Sequence, residues 1–190
     1  MESITLKSLA YISAINIKEL YKIAQKHEIM QHIGLGTIWN MKKIKDYVTM
    51  EKQQIKKKLS KREWISYGIM LNNRKLIGYI SLTKMVDNDV SKTKKFPQHI
   101  LHKKSIKNMV KNRFSIRIFI DNIYQGRGFG SISLNSLIEQ SKKIIPNIIL
   151  ISYIDSLNIP SINLHKKCGF EYNGMKKIGN KELTEYVYEK

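Results

Sequence analysis

A chain of 190 residues that is 42% hydrophobic is long enough to bury a core and short for two comfortable domains, so a single domain is expected. The formal charge of +19 raises nucleic acid as a partner, because a basic surface gains affinity by displacing counterions from phosphates. That charge comes from 29 Lys and 5 Arg beside 31 Ile and 3 Ala, a bias of A/T-rich codons, and the lysines are scattered along the chain instead of forming a stripe, so nucleic acid is set aside.

The first residues, Met-Glu-Ser-Ile-Thr-Leu-Lys, contain an acidic residue and no continuous apolar run, so neither a secretory signal nor a membrane-spanning helix is expected. Cys168 is the only cysteine, which excludes an internal disulfide and makes a reducing, cytoplasmic compartment the simplest setting.

Ile4 to Leu9 has the composition of a first edge strand. Ile17, Leu20, Tyr21 and Ala24 recur at helical spacing behind Asn16, with Glu19 three residues on as in a capping box, which predicts a helix to about Lys26. Gly34 and Gly36 interrupt the pattern, and Asn40 is placed to cap a second helix with Met41, Ile44, Val48, Ile55 and Leu59 on one face. His32 and Trp39, in the loop between the helices, are read as packing residues. Trp64 to Leu71 and Leu76 to Leu82 read as a hairpin turned by Asn72 and Asn73, residues that tolerate positive φ.

A basic insertion follows at about 85–113, opening with Asp87-Asn88-Asp89. A loop of that length is usually functional or disordered, and within it Ile100, Leu101, Ile106, Met109 and Val110 fit one short amphipathic helix that would serve as a lid. His99 and His102 have helical spacing for a metal pair, but Asp87 and Asp89 are the only further strong ligands in the insertion, so no metal is expected.

From Phe114 the pattern sharpens. Phe114, Ile116, Ile118 and Ile120 alternate with Ser115, Arg117 and Phe119, as on a sheet with one face against helices. A helix from about Gly128 to Lys143 should bury Phe129, Ile132, Leu137 and Ile138 and stop at Pro146-Asn147. The apolar run Ile148 to Ile154 suits a strand buried on both faces and parallel to the previous one, completing a strand, helix, strand unit.

The corner of that unit, Gln125-Gly126-Arg127-Gly128-Phe129-Gly130, reads as a phosphate site. Three glycines clear side chains from the backbone, the helix start offers free N–H groups, and Arg127 adds a cationic fork. A dinucleotide fingerprint is excluded because the sixth residue counted from Gly126 is Ser131, and no Gly-Lys-Ser/Thr is present for a P-loop. A tight turn without a ligand stays open as the alternative. Further on, Asn158 and Pro160 suit the start of a short helix that Gly169 would end, and Glu171 to Lys177 with Lys181 to Tyr188 read as a closing hairpin around Gly179-Asn180.

Gln125-x-x-Gly-x-Gly after a strand, then Asn158-x-x-Ser161 and a helix ending in Lys167-x-Gly169-Phe170, resemble in order and spacing the two motifs of the GNAT acetyltransferase superfamily. Leu76-Ile77-Gly78-Tyr79-Ile80 is similar to the third strand of its ribosomal-protein-alanine acetyltransferase-like branch. The resemblance is close over residues 114 to 170, looser over 64 to 82 and thin before that. It implies a mixed α/β acyl-CoA N-acyltransferase (GNAT) fold, with one splayed parallel strand pair in a mostly antiparallel sheet flanked by helices. It also implies acetyl-CoA as cosubstrate and transfer of acetyl to an amine by direct attack; a monomer and a homodimer both stay open, and no metal is expected.

On the resemblance, the pantetheine arm would lie along Ile118, Phe119 and Ile120, and the pyrophosphate would rest on Gln125, Gly126, Arg127, Gly128, Phe129 and Gly130. Asn158, with Ser161 of the same motif, would contact the arm, and Lys167 would lie near the adenosine phosphates. The loop from Gln31 to Trp39 would help choose the acceptor. His165 stands where the family often has a tyrosine that protonates the leaving thiolate, and an ordinary imidazole is a competent donor near neutrality; a surface histidine is the alternative.

Neither Phe114 to Ile120 nor Ile148 to Ile154 contains a carboxylate, which leaves Ser152 and Tyr153 as polar candidates for the amine's base, with Asp121 and Asp155 acting through water. That gap favours an N-terminal α-amine with pKa of about 8, or a low-pKa small amine, over a lysine amine near 10.4, and the resemblance to the ribosomal-protein branch implies a protein N-terminus as the acceptor. Polyamines and aminoglycosides are polycations that the net charge would repel; a small-amine acetyltransferase and an inactive, nucleic-acid-binding member of the fold are the alternatives.

Overall fold

The computed structural model describes residues 2–34, 36–85 and 112–189. The interior of the basic insertion, with its expected lid helix and with Asp87, Asp89, His99 and His102, lies outside the described residues.

Seven strands form one sheet: β1 (Ile4–Ser8), β2 (Trp64–Leu71), β3 (Lys75–Lys84), β4 (Arg113–Ile120), β5 (Ile149–Asp155), β6 (Glu171–Ile178) and β7 (Lys181–Tyr188). Their order is β1-β2-β3-β4-β5-β7-β6, and every neighbouring pair is antiparallel except β4 and β5. The α-helices among the described residues are α1 (Ala14–Ala24), α2 (His27–Met30), α3 (Met41–Gln54), α4 (Phe129–Ile144) and α5 (Ile159–Lys167). The mixed α/β architecture expected from the two motifs is the one observed.

Local chemistry sets most of the boundaries. Asn72 and Asn73 turn the β2–β3 hairpin with φ of 50° and 54°, the left-handed region that asparagine tolerates. Asn40 caps α3 by accepting from the Lys43 N–H at 2.9 Å. Helix α1 starts earlier than its sequence pattern implies, because Ser13 is the residue that caps it. Asn16 is buried inside the helix instead, its Oδ1 accepting from the Leu76 N–H at 3.3 Å, and Glu19 pairs with Lys22. A long-range bond to the sheet has thus displaced the local capping box.

Two cores lie on opposite faces of the sheet. One gathers Phe114, Ile116, Ile120, Leu150 and Ile154 beneath Phe129, Leu134, Leu137 and Ile138 of α4. Ile132, expected inside, is 49% exposed; Leu134 takes that place, two positions further around the helix. The other core packs Leu20, Ile23, Ile44 and Val48 of α1 and α3 on Met70, Tyr79 and Phe119 around Trp39. Trp39 is 2% exposed and meets Tyr47, Tyr79 and Phe119 edge-on at 4.8, 5.2 and 5.3 Å between ring centroids. Such pairs add about 0.5–1.5 kcal/mol each beyond burial. The packing reading of Trp39 therefore holds.

Glu51 of α3 is buried at the edge of this second core, accepting from Ser66 N (2.8 Å), Ser66 Oγ (2.9 Å) and Ser8 Oγ (3.1 Å). Burial pushes its carboxyl above the usual range, against the pull of those Ser66 and Ser8 bonds and the Arg62 charge. One side chain thus ties α3 to β1 and β2. Glu51→Ala strands the Ser66 N–H and should cost about 1–3 kcal/mol in urea unfolding, with Glu51→Gln costing less because it keeps an acceptor oxygen.

Candidate active site

The parallel pair is short. β4 and β5 are registered only from Arg113 opposite Ile149 to Ser115 opposite Ile151, although each strand runs several residues further. Beyond Ser115, β4 follows β3 on one side, while β5 follows β7 on the other. The strands therefore part, leaving a gap edged by backbone polar groups that no strand satisfies.

A cavity of about 950 Å³ passes through this gap. Alternation decides which side chains reach it from which face. Ile116, Ile120, Leu150 and Ile154 belong to the α4 core, so Ser152 shares their face; Phe119 belongs to the α1–α3 core, so Arg117 shares that one. From the α4–α5 side the lining includes Ser152, Asn158, Ser161, Leu164, His165 and Lys167. From the opposite side it includes His32, Trp39, Lys43, Arg117 and Tyr153. Ile118, Phe119 and Ile120 line the gap itself.

The glycine corner divides into parts with different causes. Gly126 and Gly128 have φ of 74° and 80°, where other residues are strained, and open space lies where their Cβ atoms would be. Gly130 has ordinary φ but sits close under α5, where a Cβ would approach Leu164 Cδ2 to 3.3 Å. Its lack of a side chain serves helix packing. Gln125, Gly126, Gly128, Phe129 and Gly130 line the cavity, and Gln125 folds back to donate to the Ile120 carbonyl at 2.8 Å. Arg127, expected as a cationic fork in the site, is instead turned outward. Its guanidinium is 2.6 Å from a Glu2 carboxylate oxygen and packs on the Phe129 ring at 4.9 Å, and it does not line the cavity.

Asn158 caps α5 by accepting from the Ser161 N–H at 3.2 Å, and Gly169 ends the segment with φ of 87°. His165 departs from the sequence reading most. It is neither a surface residue nor an ordinary imidazole: it is buried, its Nδ1 lies 2.8 Å from the Ser161 carbonyl, and burial lowers its pKa to about 4 despite that bond. The ring is neutral near pH 7. With a carbonyl as partner, Nδ1 carries the proton and Nε2 is a bare acceptor, buried and without a hydrogen-bond partner among the described residues. A proton donor at this position is therefore not what the ring offers.

On the other face Tyr153 Oη accepts from Lys176 Nζ at 3.3 Å. His32, read from sequence as packing, lines the cavity with Nδ1 3.7 Å from Asp155 Oδ2. Neither residue signals the other in the sequence. They meet because β5 ends at Asp155 opposite the loop after α2. Among the described residues no group of three or more His, Cys, Asp or Glu is arranged for a metal ion, and no helix is long and apolar enough to cross a membrane.

A sheet opened at one parallel pair, with a helix start at one end of the opening, offers free backbone N–H groups to the anionic end of a ligand. The chain belongs to the GNAT acetyltransferase family, whose domain model matches residues 12–171. Members of that family transfer acetyl from acetyl-CoA to an amine. No curated protein matches the sequence.

Solved structures are similar over nearly the whole chain at low identity. Aminoglycoside acetyltransferase AAC(6')-Ib in complex with ribostamycin and coenzyme A has a TM-score of 0.68 at 16% identity, covering 98% of this chain and 93% of that one. The ribosomal L7/L12 alpha-N-protein acetyltransferase RimL in complex with coenzyme A gives 0.67 at 14%, covering 98% and 94%. Spermidine N-acetyltransferase from Vibrio cholerae in complex with coenzyme A and spermine gives 0.68 at 13%, covering 98% and 95%.

The state of His165 is testable through stability. Between its folded pKa of about 4 and the ordinary 6.5, the unfolded chain takes up a proton that the folded chain refuses. Stability should therefore fall as pH drops from about 6.5 to about 4, by on the order of 3 kcal/mol for this group, with no contribution above that window. Urea midpoints measured across pH should lose this part of the slope in His165→Gln.

Proposed function

We propose that the protein is an acetyl-CoA-dependent N-acetyltransferase whose acceptor is a protein N-terminal α-amine. The observation that supports it most is the gap between β4 and β5, with lining from both faces of the sheet. The cofactor would enter from the α4–α5 face and the amine from the α1–α3 face, so that nucleophile and thioester meet where the strands part.

The residues present fit such a cofactor. Ser152 Oγ and His165 Nε2 are buried polar atoms on the cofactor face without hydrogen-bond partners among the described residues, and the amides of a pantetheine arm offer both donors and acceptors to match them. Ile118, Phe119 and Ile120 would run beside the arm, with Asn158 and Ser161 across from them. The amides of Gln125, Gly126, Gly128, Phe129 and Gly130 would hold the pyrophosphate at the α4 N-terminus, with Lys167 nearby. In this reading Arg127 would contribute its backbone amide to the corner, since its side chain is engaged with Glu2.

Bound acetyl-CoA supplies an activated acetyl thioester. Gap-facing N–H groups of β4 would steady the negative charge that develops on its carbonyl oxygen. His32, with Nδ1 3.7 Å from Asp155 Oδ2, would take the amine's proton as the C–N bond forms. Tyr153 would return a proton to the sulfur as the C–S bond breaks. This places the exchange of protons on the acceptor face, where His165 cannot reach with a proton of its own. An α-amine is already partly unprotonated near neutrality, so a base no stronger than imidazole suffices.

Calorimetry with coenzyme A is the direct test, and absence of heat would remove the proposal. Gly128→Val should raise KM for acetyl-CoA at least tenfold while leaving KM for a peptide amine nearly unchanged; equal rises would sink the cofactor pose. His32→Gln should lower kcat about a hundredfold at neutral pH and recover part of it at higher pH, where the amine sheds its own proton. An unaltered pH profile would exclude His32 as the base.

A further inference from the structure

Two cations stand at the acceptor end of the cavity without an anion. Arg117 lies on β4 just past the point where the strands part, with its guanidinium carbon 5.9 Å from the Trp39 ring centroid. Lys43, in the first turn of α3, places Nζ 5.3 Å from the same centroid. Both side chains line the cavity, and neither forms a salt bridge among the described residues.

Their positions are held by the fold. Trp39 is fixed by three aromatic neighbours and by backbone bonds, its N–H donating to Ala24 O at 3.1 Å and its carbonyl accepting from Gln25 Nε2 at 2.6 Å. The indole is a platform on which both cations rest. Burial and then the neighbouring Arg117 charge lower the pKa of Lys43, so the two cations repel each other where they stand. Cation–π contact offsets part of that repulsion. An anion between the cations would remove it.

Glu28 is the only carboxylate of the lining among the described residues, and it is engaged by Asn122 Nδ2 at 3.3 Å, beside the Asn122 Oδ1 contact of Lys26. A polycationic acceptor would meet the charges of Lys43 and Arg117 with Glu28 as the one carboxylate among the described lining residues to set against them. Aminoglycoside or polyamine acceptors, named in the complexes of two structurally similar proteins, do not suit this lining.

We infer that the acceptor is an anionic amine: a carboxylate or phosphate on the same molecule docks between Lys43 and Arg117 and presents the amine at the gap between β4 and β5. This deepens the proposed acetyl transfer and rests on it. An acidic residue close behind a peptide N-terminus and a small acidic amine share the required chemistry.

The test uses the full-length protein with acetyl-CoA and three peptides alike except for charge, Ser-Glu-Glu-Ala, Ser-Gln-Gln-Ala and Ser-Lys-Lys-Ala, with O-phosphoethanolamine and ethanolamine as the small-amine pair. Thiol release should favour the acidic member of a pair by at least tenfold in kcat/KM, with the advantage shrinking as salt rises. Preference within the peptides alone assigns a peptide acceptor, and preference within the small amines alone assigns a small one. The Lys43→Gln, Arg117→Gln double variant should bring the favoured pair to within about twofold while still giving heat with coenzyme A, which reports an intact fold. Equal rates for acidic and neutral acceptors, or an acid preference that survives the double variant, overturn the inference.

Binding separates this result from the chemistry. Trp fluorescence of the coenzyme A complex, titrated with Ser-Glu-Glu-Ala and O-phosphoethanolamine, should report charge-dependent binding even if no acetyl is transferred. That outcome would keep the anion site and discard the acetyl-transfer reading. No binding of either acidic probe, with coenzyme A bound, would discard the anion site.

Discussion

The parting of β4 from β5 is the constraint on which the rest depends. Parallel strands in one sheet ordinarily stay paired, because a separated edge leaves N–H and C=O groups without partners at a cost of about 1–3 kcal/mol for each that is buried. Here the separation is held open from outside. β3 holds β4 by seven registered residue pairs, β7 holds β5 by six, and the shared register between β4 and β5 is three pairs long. The two halves of the sheet diverge from that short hinge, and the polar edges are left for a ligand.

Because the opening runs through the sheet, its two sides differ in character. The α4–α5 side carries buried neutral polar groups, Ser152 and His165, and a helix start with backbone in left-handed geometry at Gly126 and Gly128. In the proposed reading those features would serve a long, amide-containing ligand with phosphates at one end. The α1–α3 side carries a fixed indole, two cations and a histidine beside a carboxylate. In the proposed reaction those features would orient and deprotonate a second, shorter substrate. Direct transfer between two bound molecules needs this asymmetry, since each ligand must be recognised without excluding the other.

Burial reverses the meaning of His165. An imidazole with pKa near 6.5 is a proton donor at neutrality, whereas the same ring behind Phe170, with Nδ1 given to a backbone carbonyl, is a neutral acceptor. Arg127 is a parallel case. Its charge is as strong as the sequence implies, but Glu2 from the other end of the chain captures it. In both, residue type was a sound guide to chemistry and a poor one to direction.

What the sequence by itself determined was local. Asn40 and Asn158 as caps, Asn72-Asn73 as a turn, and the strand, helix, strand alternation from Phe114 to Ile154 depend on neighbours a few residues away, so spacing was enough to read them. The glycine corner and the Asn158 motif pointed to the family for the same reason. Only the tertiary structure decided that Ser13 and not Asn16 caps α1, that His32 meets Asp155, that Glu51 joins α3 to two strands, and that Lys43 and Arg117 both lie over the Trp39 ring. Each of these joins residues far apart in the chain, through packing energies that no periodicity encodes.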